Sequence, residues 1–388
     1  MRCRAIVDLG ALVHNFRHLS ALAGGRTVPL CVVKADGYGH GALPVGRALA
    51  AAGNRHLAVA TLEEAAELQD GGLDGPILVL GGFERGEERE AAHRGIEPLV
   101  GSIGQLRGWA AEARRLRRRL PCHLLLNTGM NRLGMDLDPL DREGTARFLE
   151  VLGGCDWLDP RGVAMHYASS EDFESGQAQR QAELFGRQLA VLRDAGIKPR
   201  HVHADNTAAV MYRGVTVPRG HRAAAMVRPG LGLYGYVKPP IGRSGPSGRQ
   251  LRPVLEWRAR LCSLREVPAG SPLGYGATFV APRRMRVGVL SAGYGDGLDW
   301  RLSNRGAVSV RGSRCPIVGE VSMDFTIVDL AAAPRAREGD EAVLLGAEPY
   351  DAQGMAALTG GIPYELLCRI SARVKRQYVN GPAGQSPG

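Results

Sequence analysis

At 388 residues, with 44% hydrophobic residues, the chain is long enough for two cores and apolar enough to fill them. No apolar run approaches the ~20 residues of a membrane span, and Met1-Arg2-Cys3-Arg4 meets Asp8 too soon to read as a signal peptide. The net charge of +10 invites an acidic partner, but aromatics are only 5% and do not interleave with the one dense basic run, Arg114-Arg115-Leu116-Arg117-Arg118-Arg119; a solvated helix face accounts for that run better than nucleic acid does.

In chain order, the first strong signal is the apolar run Val28–Val33, which reads as a buried strand ending in Lys34. Glycines follow at 37, 39 and 41, with Tyr38 among them. Only four of the 49 basic Lys and Arg residues are lysines (Lys34, Lys198, Lys238, Lys375), so 45 are arginine. A lysine kept at a strand end in such a chain suits chemistry that a guanidinium cannot do: losing a proton and attacking a carbonyl. Further candidate strands are Leu57–Ala60, Ile77–Leu80, Glu97–Val100, Cys122–Leu126, Gly162–His166, His201–Ala204 and Ala225–Arg228, separated by helical stretches such as Leu62–Gln69 and Ala178–Ala195. Eight strand–helix repeats over this length predict a (β/α)8 barrel.

The texture changes after Pro239-Pro240. Residues 241–250 read as a Gly/Ser/Pro linker, followed by β-rich runs at Val254–Val267, Met285–Leu290, Ala307–Val310, Pro316–Val321, Phe325–Leu330 and Glu341–Leu345, and a helix at Ala352–Leu358. The expectation is an α/β chain with a barrel over 1–240, a mostly antiparallel β domain over 241–388, and a polar tail from Asn380. The seven cysteines are scattered with no Cys-x-x-Cys, so neither a zinc knuckle nor a disulfide framework is expected, and a reducing cytoplasm is.

In such a barrel the C-terminal strand ends form the active face. Those positions hold Lys34, Arg132, His166, Asn206-Thr207 and Arg228, with Gly230 just beyond. No Walker or Rossmann glycine loop is present, so a phosphate-bearing cofactor on lysine fits better than ATP or NAD. His201 and His203 alternate onto one face, which suits either a metal pair or a hydrogen-bonded barrel lining. Tyr275 and Tyr294 each stand between glycines in the second domain.

The string Val33-Lys34-Ala35-Asp36-Gly37-Tyr38-Gly39-His40-Gly41 resembles the pyridoxal-phosphate lysine motif of the alanine racemases. With Gly274-Tyr275-Gly276-Ala277-Thr278 and Met323-Asp324 following in order, the resemblance covers nearly the whole chain, from Ala5 to Ser371. It implies that Lys34 carries pyridoxal 5'-phosphate as a Schiff base. It also implies that Tyr38, Thr207, Gly230, Leu231 and Tyr364 hold the phosphate with Asn206 beside them, that Arg228 faces the pyridine nitrogen, and that His166 lies along the ring. Arg132 is implied to contact the cofactor oxygen and the substrate carboxylate. Tyr275, Met323 and Asp324 are implied to come from the second subunit of a homodimer, with Tyr294 and Tyr364 narrowing the mouth.

The implied activity is two-base interconversion of L- and D-alanine for peptidoglycan, with Lys34 and Tyr275 as the bases; a serine-preferring or broader racemase of the same fold is the alternative. Two departures stand out. The family's carbamylated lysine is replaced by Leu125, and an aspartate by Asn127, so Arg132 loses two nearby negative charges. A chloride ion or another side chain is expected beside it.

Overall fold

The computed structural model describes residues 2–217, 223–243 and 250–381. Residues 244–249 of the expected linker and 382–388 of the expected tail lie outside the described residues. The chain divides into two compact units. One is Val13–Gly37 with Val45–Leu251; the other is Met1–Leu12 with Tyr38–Pro44 and Arg252–Gly388. A single cut near residue 240 does not describe this division. The first strand, β1 (Cys3–Asp8), pairs inside the sheet of the second unit, a long-range pairing that no local pattern reveals.

Among the described residues of the first unit, eight parallel strands close into a barrel. They are β2 (Val28–Val32), β3 (His56–Val59), β4 (Ile77–Val79), β5 (Glu97–Val100), β6 (Leu120–Leu125), β7 (Leu158–Ala164), β8 (His201–Asn206) and β9 (Ala224–Arg228). These are the eight strands foreseen in the sequence, with ends shifted by a few residues. Continuous burial of Leu30, Cys31 and Val32 on β2, and of Ile77, Leu78 and Val79 on β4, is what a parallel strand covered on both faces requires. Several of the connecting helices start at side-chain caps. The Thr61 hydroxyl accepts from the Glu64 amide and the Ser102 hydroxyl from the Gln105 amide.

The segment after β2 departs from ordinary geometry. Ala35, Asp36, Gly37, Tyr38 and Gly39 all have positive φ (52°, 51°, 60°, 54° and 79°), so Lys34–Gly39 is a left-handed helical turn. Three of these residues carry a Cβ, and a left-handed conformation costs about 1–2 kcal/mol for each. The surroundings hold it. The Glu64 carboxylate accepts from the amides of Ala35 (2.7 Å) and Ala60 (2.7 Å), the Gly37 amide donates to the Val33 carbonyl (2.8 Å), and Arg376 Nε donates to the Gly39 carbonyl (3.0 Å). Gly39 is required by space as well as by φ: a Cβ there would lie 2.3 Å from the Leu367 carbonyl oxygen.

In the second unit, β1 lies between β10 (Leu255–Val267), antiparallel to it, and β18 (Lys375–Val379), parallel to it. The other strands are β11 (Pro272–Leu273), β12 (Phe279–Val280), β13 (Met285–Leu290), β14 (Ala307–Val310), β15 (Ser313–Pro316), β16 (Thr326–Asp329) and β17 (Glu341–Leu345). β10 is the longest and pairs with β1, β13 and β17, so it joins the two ends of the sheet. The pairings are antiparallel apart from β1 with β18. Of the expected strand at Pro316–Val321, only Pro316, the last residue of β15, and a single bridge at Ile317 are formed. Pro316 has no N–H to donate, and Gly319 turns the chain at φ 79°. The helix Pro363–Arg369 and strand β18 were not foreseen.

The two demands on Gly39 can be separated. Gly39→Ala should lose about 2–5 kcal/mol of stability, combining left-handed strain with overpacking. Gly53→Ala, at φ 97° but with no atom within 4 Å of the new Cβ, should lose only about 1–2 kcal/mol. Denaturant midpoints of the two variants compare them; equal losses would remove the steric part of the explanation.

Candidate active site

The barrel brings together the basic residues that the sequence placed at its strand ends. Lys34 follows β2 and is half-buried; Arg228 ends β9 and is buried; His166 stands two residues beyond β7. Arg228 is the best-fixed of them. Its Nη1 donates to His203 Nδ1 (2.7 Å) and to the His203 carbonyl (2.9 Å). Its Nη2 donates to the carbonyls of Met165 (2.6 Å) and Ala204 (3.1 Å) and to His166 Nδ1 (3.1 Å). Among the described residues the Nε–H alone of this guanidinium has no hydrogen-bond partner, so one donor is left for a ligand.

A guanidinium only donates, so His166 presents a lone pair at Nδ1 and is neutral. Its pKa agrees. Burial, with repulsion from the Arg228, Arg132 and Lys34 charges, pushes it down to about 3. Three cations therefore converge on one uncharged imidazole, which gives the site a strongly positive field. Burial also lowers Arg228 itself to about 10.

Asn206 and Thr207 lie where β8 passes into the short helix Thr207–Arg213. Asn206 Oδ1 accepts from the Ala209 amide (3.0 Å) and from Ser170 Oγ (2.7 Å). The buried Thr207 Oγ1 accepts from the amides of Gly230 (3.1 Å) and Gly232 (3.2 Å), drawing the turn Leu231–Tyr234 against the end of β8. The Gly230 amide is spent on Thr207, so the Thr207 O–H, left to donate after its oxygen accepts two amides, is what this turn offers a phosphate, with the Leu231 amide beside it.

The loop after β6 is closed by a bridge between Leu126 and Met135. Asn127 organises it. Its Oδ1 accepts from the amides of Gly129 (3.0 Å) and Asn131 (3.2 Å), and its Nδ2 donates to Asn131 (2.9 Å) and Asp136 (2.8 Å). Leu125 is buried. Arg132 is exposed and makes no hydrogen bond or ion pair among the described residues.

In the other unit, the rings of Tyr38 and Tyr364 approach to 6.2 Å between centroids. Tyr275 stands 71% exposed in the β11–β12 turn. Tyr294 and Met323-Asp324 are laced together: the Tyr294 amide donates to the Ser322 carbonyl (3.0 Å) and the Gly295 amide to the Met323 carbonyl (2.9 Å). Asp324 is clamped by Arg373 (2.5 Å) and faces Arg2 (3.6 Å), and the hydrogen bond from Arg373 holds its carboxyl below the ordinary range. The buried Asp296 reaches Arg373 at 3.4 Å. Arg2, Arg373, Asp296 and the Glu64 clamp were not singled out in the sequence, because nothing local marks them.

His203 resolves the two readings of the His-x-His pair. Its ring nitrogens are taken by Arg228 and by His123 Nδ1 (2.9 Å), so it lines the barrel through hydrogen bonds. Among the described residues no group of three or more side chains suits a metal ion, and no helix is long and apolar enough to cross a membrane.

A lysine at a barrel strand end, a buried arginine with one donor left over, and a hydroxyl–amide cradle define a barrel enzyme that holds a phosphate-bearing cofactor. Comparison with known proteins agrees. The model of the alanine racemase N-terminal domain matches residues 7–238, and that of the C-terminal domain residues 254–378. The alanine racemases of Sorangium cellulosum and Geobacter sulfurreducens are 38% and 36% identical; each alignment covers 97% of this chain, with 98% and 97% of the relative. The alanine racemase structure from Streptomyces coelicolor superposes with a TM-score of 0.88 at 31% identity, over 98% of both chains. The structure from Bartonella henselae, with covalently bound pyridoxal phosphate, gives 0.85 at 30% identity over 98% of this chain and all of that one. The chain belongs to the alanine racemase family.

The depressed histidines set a pH dependence. His166 (about 3), His201 (about 4) and His203 (well below 6.5) are neutral when folded, whereas unfolding restores their ordinary 6.5. Between roughly pH 6.5 and pH 4 the unfolded chain therefore binds more protons, and stability falls as pH falls. Unfolding midpoints taken down that window should decline steadily; a flat profile would show that these imidazoles are not buried neutral.

Proposed function

We propose that this protein is a pyridoxal-phosphate-dependent alanine racemase, active as a homodimer. The observation that carries the reading is the single leftover donor of Arg228. A group with an unprotonated ring nitrogen, an aldehyde for Lys34 and a phosphate for the Thr207–Gly230–Leu231 cradle fits the residues present. Tyr38 and Tyr364 complete the phosphate end, with Asn206 fixing the helix start behind Thr207. When bound, pyridoxal phosphate supplies an electron sink that makes the α-proton of an amino acid removable.

The protein's own residues direct that chemistry. The Lys34 amine moves a proton at one face of the α-carbon, and the Tyr275 hydroxyl of the partner subunit moves one at the other. Tyrosine, ordinarily titrating near 10, is a poor base at neutral pH; a neighbouring positive field corrects this, and the Lys34–Arg132–Arg228 cluster provides one. Arg228 would hold the ring nitrogen through its remaining N–H and, being a donor only, would leave that nitrogen unprotonated, which would limit how far negative charge is drawn away and suppress competing reactions. Arg132 takes the substrate carboxylate, with Met323 and Asp324 of the partner subunit lining the mouth beside it.

The dimer reading is supported by exposed apolar side chains of one unit. Tyr275, Val280, Trp300, Met323, Phe325 and Ile362 are each 46% exposed or more, apolar surface that a second subunit would cover. The counter-ion reading is supported by the loop. Asn127 spends its side chain within the loop, on two backbone amides and the side chains of Asn131 and Asp136, Leu125 is apolar, and Arg132 is left for a small anion such as chloride.

Purified protein should interconvert L- and D-alanine, with initial rates above those for serine, lysine and arginine. It should show visible absorbance that borohydride abolishes, and Lys34→Ala should lose racemisation unless a small amine is added; activity retained in Lys34→Ala without amine would overturn the assignment. Exchanging chloride for a bulky organic anion should lower kcat/KM for alanine, and an unchanged value would remove the chloride.

A further inference from the structure

The barrel interior carries a file of polar side chains outside the site described above. Arg161 Nη1 on β7 donates to Glu97 Oε1 on β5 (2.6 Å), and Glu97 Oε2 lies 3.3 Å from His123 Nε2 on β6. His123 Nδ1 meets His203 Nε2 on β8 (2.9 Å), and His203 Nδ1 meets Arg228 Nη1 (2.7 Å). Glu97, His123, His203 and Arg228 are all buried. Room is made for the file: a Cβ on Gly162 would lie 2.0 Å from His123 Nδ1. His201 stacks on the other side of His123, ring centroids 6.2 Å apart and planes within 7°.

The hydrogens in this file can be assigned without ambiguity. A guanidinium has no lone pair to offer, so His203 Nδ1 accepts and its ring hydrogen sits on Nε2. That hydrogen points at His123 Nδ1, which must therefore accept in turn. The remaining His123 hydrogen sits on Nε2, the nitrogen that lies 3.3 Å from Glu97 Oε2. An imidazolium at His123 would set two N–H groups against each other across 2.9 Å, so His123 is neutral although it faces a carboxylate. Both hydrogen bonds run one way, Arg228 to His203 and His203 to His123; His123 Nε2 then faces Glu97 Oε2 at 3.3 Å, and Arg161 closes the file from the far side. Burial alone would raise the Glu97 carboxyl; the bonds from His123 and Arg161 hold it below its ordinary range, so the terminus stays an acceptor.

We infer that Glu97 is a positioning residue for Arg228, acting through His123 and His203: it fixes both imidazoles in the Nε2–H form and so sets which guanidinium edge is consumed and which donor is left for the cofactor. The final step, toward the cofactor, rests on the function proposed above; the hydrogen assignment does not.

Two measurements on the cofactor-loaded protein test this. Selective 15N labelling of histidine should show His123 and His203 each with a lone pair at Nδ1 and a hydrogen at Nε2 at neutral pH. An imidazolium at His123, or an Nδ1–H at His203, overturns the inference whatever the enzyme does. Glu97→Gln, which keeps the size and removes the charge, should scramble those two signals, shift the cofactor's visible absorption band and lower kcat by about ten-fold or more, the scale of a lost outer contact, with KM for alanine unchanged. A Glu97→Gln variant with unaltered histidine signals, band and kcat overturns it too. Wild-type protein that shows the assigned hydrogens but racemises nothing defeats the functional proposal alone.

Discussion

The structure depends on keeping one buried cation in place without a hydrogen-bonded carboxylate. Arg228 is solvated by two imidazole lone pairs and three backbone carbonyls. Burying a charge is expensive unless its donors are satisfied, and these acceptors come from two pairs of neighbouring residues at the ends of adjoining strands: Met165 with His166, and His203 with Ala204. The barrel supplies them because parallel strands bring their carboxyl ends to one rim. The consequence is electrical as well as steric. Among the described residues no negative side chain neutralises the guanidinium by direct contact, so its field adds to those of Lys34 and Arg132 over His166. A site of this sign attracts phosphate and carboxylate groups and disfavours imidazolium.

The second constraint is the left-handed turn that carries Lys34. A right-handed continuation would have aimed the following residues elsewhere. The left-handed one gathers Tyr38, Gly39 and Gly41 against the segment around Leu367 and Tyr378, closely enough that a Cβ at either glycine would meet an oxygen within 2.3 Å. Strain at Ala35, Asp36 and Tyr38 is held by Glu64 at one end and Arg376 at the other. Backbone strain of this kind collects at functional sites, where a fixed geometry is worth more than local stability.

Much of this was legible in the sequence, and what was not has a common cause. Apolar runs separated by helical stretches give the barrel strands directly, because parallel strands are buried on both faces and helices announce themselves by caps and period. The scarcity of lysine singled out Lys34, and position at strand ends singled out His166, Thr207 and Arg228. The left-handed turn was hidden because Ala, Asp and Tyr do not ordinarily adopt that conformation; only the alternate glycines hinted at it. β1 and β18 were hidden because their partners are hundreds of residues away. Glu97 and His123 were hidden because each looks unexceptional alone, and only the closed barrel puts them in line with His203.

The placement of β1 has a consequence for how the molecule is made. Cys3 pairs with Ala259 and Arg4 with Lys375, so β1 is translated well before either of its neighbours. The barrel strands, by contrast, pair mostly with partners that follow closely in the chain, and can assemble while translation continues. β1 must wait, unpaired and partly apolar, until β10 and β18 have been made. Its charged residues Arg4 and Asp8, placed opposite the buried Cys3, Ala5 and Val7, limit the ease with which nascent copies of the chain could pair with one another during that interval.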